Sequence, residues 1–75
     1  MPKFFFNLHD GSTTLPDDVG RDLANLDAAR REAAADIVDV MRTDFKLIDR
    51  NWTTWSLRIC DEDGSVLDEI PFIRN

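Results

Sequence analysis

The chain has 75 residues, enough for one small core, and carries fifteen acidic against nine basic residues for a net charge of −6. Affinity for DNA or RNA rests largely on cations that neutralise phosphates, so this balance opposes general nucleic-acid binding and adhesion to anionic membrane surfaces. The start, MPKFFFNLHDG, has no long apolar run and no small-residue cleavage site, so neither a signal peptide nor a membrane span is expected. Cys60 is the only cysteine and can form no intrachain disulfide, which suits a reducing cytoplasm.

Lys3 to His9 alternates as a strand, with Phe4, Phe6 and Leu8 on one face and Lys3, Phe5, Asn7 and His9 on the other. Three consecutive phenylalanines give both faces apolar surface, the mark of a central strand. Phe5 is then an apolar residue on an otherwise polar face. Asp10-Gly11 signals a turn, and Ser12 to Leu15 reads as a short returning strand ended by Pro16. Pro16 to Leu23 reads as a loop, with Val19, Leu23 or both tucked under the entrance of the helix that follows.

Leu26 to Arg42 is alanine-rich and free of glycine and proline, so it is expected to be helical. At 100° per residue, Leu26, Ala29, Ala33, Ile37 and Val40 share one face, while Glu32, Asp36 and Asp39 lie on a polar flank. Asn25 suits the N-cap, and Asp27 the positive end of the helix dipole, four residues before Arg31. Residues 43–51 form a connector in which Phe45, Leu47 and Ile48 are placed to seal the bottom of the core.

Thr53 to Cys60 is a second clear strand, with Trp55, Leu57 and Ile59 toward the core and Ser56, Arg58 and Cys60 away from it. Asp61 to Gly64 makes a hairpin turn, and Ser65 to Phe72 returns as the last strand. That strand breaks parity. A three-residue loop pairs Asp61 with Ser65 and sets Leu67 opposite Ile59, yet Ile70 and Phe72 are the better core residues. A bulge near Asp68-Glu69 reconciles the two. Pro71 cannot donate to a ladder, which puts this strand at an edge. The expected fold is a single α+β domain over residues 1–75. It is β-β-α-β-β, an antiparallel three- to four-stranded sheet in the order second–first–third–fourth, with one amphipathic helix packed on one face.

No motif for catalysis, nucleotide binding or a resident cofactor is present, so no enzyme activity is expected. His9 and Asp10, with Asp17, Asp18 and Asp22 in the following loop, form the densest polar group, and His9, Asp10 and Asp17 give the alternative of a small metal site, although the spacing matches no established ligand set. Cys60, near a strand end with Arg58 beside it, reads as an inert thiol. The face opposite the helix, with Phe5, Asn7, His9, Ser56 and Arg58, is the expected interaction face. It suits a homodimer contact or an unidentified protein partner that would cover Phe5 and enlarge a small core.

The start MPKFFFNLHDG, the PDDVG loop, NLDAARREAAADI on the helix and WSLRICDEDGSVLDEIPF at the end together resemble a family of short bacterial proteins classed as a domain of unknown function. Their pattern is MPxYFFxLHDG, an acidic D-x-x-G loop, an LxxAxxEA helix and a C-terminal W-x-I-x-V-x-D-x-x-G hairpin ending near PF. Asn7 stands where histidine is common, which removes a second histidine from any metal reading. The resemblance covers almost the whole chain. It implies the domain boundaries and a bacterial cytoplasmic setting, and carries no catalytic residue. By element pattern alone the chain is also similar to the partial double-stranded-RNA-binding-like modules of some bacterial antitoxins, which gives a regulatory nucleic-acid-binding module as the other alternative.

Overall fold

Three consecutive phenylalanines put apolar surface on both faces of the first strand, and the protein buries both to different degrees. The computed structural model describes residues 1–43 and 52–73. Strand β1 (Lys3–His9) is central, with β2 (Thr14–Leu15) and β3 (Arg21–Asp22) sharing one of its edges and β4 (Ser56–Cys60) on the other; β5 (Val66–Pro71) lies beyond β4. All pairings are antiparallel. The order β2-β1-β4-β5 is the one expected from the sequence, and β3 is an addition to it.

Helix α1 (Leu26–Thr43) packs Ala29, Ala33 and Ile37 into a core shared with Phe4, Phe6, Trp55, Leu57, Ile59 and Phe72. Ala29 and Ala33 are fully buried, and their small side chains let the helix lie close over β4 and β5. The Asn25 side chain caps the helix by accepting from Ala28 N at 2.9 Å. Asp27 pairs with Arg30 rather than Arg31. Two guanidinium groups strap the helix down from either side. Arg21 of β3 bonds Asp36, lies 3.5 Å from Glu32 and sits over the Phe6 ring, while Arg30 bonds Asp68 of β5 at 2.8 Å. The polar flank of the helix is therefore a set of attachment points.

Three expectations change, and one is narrowed, at the level of single residues. Ser12 and Thr13 leave the predicted strand because Asp10 Oδ1 accepts both of their backbone N–H groups, holding them in the turn. Arg21-Asp22, expected in a loop, pairs with Lys3-Phe4. Val19 is 78% exposed, so Leu23 alone packs against the core at the helix entrance. Trp52–Thr54 is a 3-10 turn ahead of β4, which stacks Trp52 on Phe72 with ring centroids 5.3 Å apart. The expected seal by Phe45, Leu47 and Ile48 lies outside the described residues.

The bulge in the last strand falls one residue earlier than expected. Cys60 pairs with Val66 but Ile59 pairs with Asp68, so Leu67 is the unpaired residue. This register serves both neighbouring carboxylates. Asp68 turns to the helix side and meets Arg30, while Glu69 lands opposite Arg58 on the other face and accepts its Nε at 2.7 Å. Pro71 does lie on the edge strand. Phe72 N donates to Trp55 O at 2.9 Å, so by antiparallel alternation the N–H of Glu69 and the ring of Pro71 face outward. Glu69 N is taken by the side chain of Asp68 at 2.8 Å, and Pro71 has no N–H to offer.

Candidate functional site

The sheet face away from α1 is laid out in rows fixed by strand register. Phe5, Cys60 and Val66 form one row, Asn7, Arg58 and Glu69 the next, and His9, Ser56 and Pro71 the last. The face is apolar at one end and polar at the other.

The polar end is internally satisfied. Glu69 Oε2 accepts from Ser56 Oγ at 2.8 Å and from Arg58 Nε at 2.7 Å. Those two donors, Arg58 foremost, hold the Glu69 carboxyl below its ordinary range. His9 Nδ1 lies 3.0 Å from Thr14 Oγ1. The Ser56 hydroxyl is directed to a carboxylate on β5 rather than to His9 across the ladder.

The apolar end is shaped by a loop the sequence presented as a run of acids. Phe6 N–H points into the gap between β2 and β3, where β1 has no backbone partner. Asp17 fills that gap: its Oδ2 accepts from Phe6 N at 3.1 Å, and its Oδ1 from Val19 N at 3.0 Å and Gly20 N at 3.2 Å. In return Asp17 N donates to Asn7 Oδ1 at 2.8 Å, and Asn7 Nδ2 reaches Cys60 Sγ at 3.5 Å. Gly20 closes the turn at φ +75°, and a Cβ there would stand 2.9 Å from both the Lys3 stem and the Phe5 ring. The D-x-x-G pattern is thus a side-chain splice that replaces a missing length of strand.

This packing leaves Phe5, the apolar residue on this face, half-buried by its neighbours. Beside its ring is a shallow cavity of about 210 Å³, floored by Phe5, Asn7 and Cys60. Pro16 and Asp17 form one wall, and Asp61, Glu62 and Gly64 of the β4–β5 turn form the other. Of the five residues expected on an interaction face, Phe5 and Asn7 line the cavity; His9, Ser56 and Arg58 share the face but stand outside it. The acidic turn was legible only as a turn, because nothing local in Asp61-Glu62-Asp63-Gly64 shows which strand end it will overhang.

Cys60 is 3% exposed, and burial pushes its thiol pKa up, so it is held as a packed thiol rather than a thiolate nucleophile. The three groups of the alternative metal reading are given separate tasks: Asp10 holds its turn, Asp17 the strand gap, and His9 meets Thr14. Among the described residues no group of three His, Cys, Asp or Glu side chains could hold a metal ion. No described helix is long and apolar enough to cross a membrane.

Residues 3–73 match the model of a protein family described as a domain of unknown function. The chain belongs to the DUF6894 family. No curated protein and no solved structure matches it. The DUF6894 match takes in every described strand and α1, so the Asp17 splice and the cavity both lie within the family's domain.

Asp17 also gives this DUF6894 chain a pH dependence. Partial burial raises its pKa, but donation from Phe6, Val19 and Gly20 outweighs that and leaves the group lowered. A depressed folded-state pKa means stability that is complete above the ordinary carboxylate range and lost as pH falls through the folded value. Asp17→Ala is expected to cost about 1–3 kcal/mol at neutral pH, the penalty for a buried backbone donor left without its acceptor. The difference from wild type should shrink toward acid pH in urea titrations. Asp10 and Glu69 are held low as well, so the variant should retain part of the acid transition.

Proposed function

We propose that the protein is a non-enzymatic interaction module that docks a protein partner, or a second copy of itself, on the sheet face opposite α1. The observation that carries this reading is the half-buried Phe5 ring and the exposed Val66, set on either side of the buried Cys60 across three strands on a face that no described helix covers. Val66, at 55% exposed, and the bulged Leu67 extend that surface to the edge of the sheet. A chain of this length buries only roughly 60% of its unfolded surface, and covering this row would add to a small core. The groups that could support catalysis are engaged structurally, which favours recognition over chemistry. We place the module in a bacterial cytoplasm, where the lone Cys60 stays reduced.

Light scattering over a wide concentration range, joined to affinity capture, tests the reading. The expected result is a mass above the monomer, or a retained partner, that is lost in Val66→Glu while the thermal transition is kept. A strict monomer at high concentration with no variant-sensitive partner overturns it.

A further inference from the structure

The cavity beside Phe5 has a composition that selects its occupant. Its floor is apolar, from the Phe5 ring and the buried Cys60, while Asp17, Asp61 and Glu62 place three carboxylates around it. No lysine, arginine or histidine is among its described lining residues. Of the cations nearby, Arg58 is engaged by Glu69 on the β5 side, Arg21, which acts on Asp17 through space, is bonded to Asp36 of α1, and the Lys3 stem lies with the Phe5 ring beside Gly20. Donation from three backbone N–H groups keeps Asp17 ionised against its partial burial, so the negative charge there is fixed.

From this we propose that the cavity anchors an arginine side chain of the protein partner, which makes the docked segment a basic one. The inference rests on the interaction reading above and gives that face its partner class. Arginine joins an aliphatic stem, suited to the floor, to a planar weakly hydrated cation that stacks on aromatic rings and forks onto carboxylates. Lysine, a compact and strongly hydrated charge, matches a ring-floored cavity less well. A volume of about 210 Å³ admits one such side chain and falls below the roughly 300–1,000 Å³ of pockets that enclose whole small molecules. The net charge of −6 favours approach of a basic segment from a distance. Val66 stands next to Cys60 in the ladder, so a residue adjoining the arginine would meet apolar surface.

Titration of the ¹⁵N-labelled full chain with the blocked tripeptide Ac-Gly-Arg-Gly-NH₂ tests the assignment. Saturable shifts are expected at the amides of Phe5, Cys60, Glu62 and Gly64. The citrulline peptide, neutral and nearly isosteric, should bind at least about tenfold more weakly, as loss of a charge-assisted contact predicts. Glu62→Gln, an exposed change, should weaken the arginine peptide several-fold and leave the fold intact. Equal binding of the citrulline peptide, absence of shifts around the cavity, or indifference to Glu62→Gln overturns the proposal. Tighter binding of spermidine than of the arginine peptide also overturns it, by assigning the site to free polyamines. If Val66→Glu abolishes association while the arginine peptide does not bind, this inference fails and the interaction reading stands. A strict monomer without partner that binds the peptide fails the reading and with it the partner assignment.

Discussion

Ala33→Asp is expected to leave the chain without a cooperative unfolding transition. Ala33 is fully buried in the α1 face, against a core of Phe4, Phe6, Leu57 and Ile59. A domain of this length has a total stability of about 4–11 kcal/mol by the usual range per residue. An unpaired carboxylate in an apolar interior costs several kcal/mol, or forces the helix off the sheet to reach water. Either outcome consumes most of that margin. The direct readout is loss of amide dispersion and of the sigmoidal thermal melt. Ala34→Asp and Ala35→Asp, on the exposed side of the same turn, supply the control. They introduce the same charge and the same loss of helix propensity and should shift stability by well under about 1 kcal/mol. A normal melt for Ala33→Asp would mean that the buried face of the helix has been misplaced.

Ile59→Ala carries the second largest expected effect. Ile59 is fully buried in β4, paired with Phe6 on one side and Asp68 on the other. Truncation there removes transfer free energy and leaves a cavity between two strands and a helix, for a loss of about 2–5 kcal/mol. The upper half of that range is expected, because the neighbours are held by ladder hydrogen bonds and by the Arg30–Asp68 bridge and can collapse little. Ile59→Val keeps most of the volume and should cost about 0.5–1.5 kcal/mol. Val66→Ala, on the exposed end of the adjoining strand, should fall within about 0.5 kcal/mol of wild type. Chemical denaturation with a constant slope across the three variants would attribute the differences to the native state.

What could be read from the sequence, and what could not, divides by the range of the causes. The strand at Lys3–His9, the helix face, the Asn25 cap and the edge position of Pro71 follow from periodicity and local chemistry, and the structure has them. Arg21-Asp22 carries no strand signal; it is held in the sheet by contacts of Arg21 with Phe6 and Asp36, each fifteen positions away in the chain. The bulge was legible as a necessity from the parity of Leu67 against Ile70. Its position was set by two guanidinium groups distant in the chain, Arg30 and Arg58, each drawing one carboxylate to its own side. The candidate site divides the same way. Phe5 and Asn7 were visible as residues of one face, whereas the cavity exists only because Asp17 brings its loop against that face and the β4–β5 turn overhangs it. Asp17 looked like one acid among several because its partners are backbone N–H groups, which leave no mark in side-chain composition.

The β5 edge has a consequence for how copies of this chain can accumulate. Its outward donors are removed at Glu69, by the Asp68 carboxylate, and at Pro71, by the ring. At the opposite edge β2 and β3 are two residues long each, with the Asp17 splice between them. Neither border offers the uninterrupted run of donors and acceptors on which ribbon growth depends. Edge-to-edge stacking of copies is thereby disfavoured along the described strands. Concentrating the chain should therefore not yield edge-joined fibres.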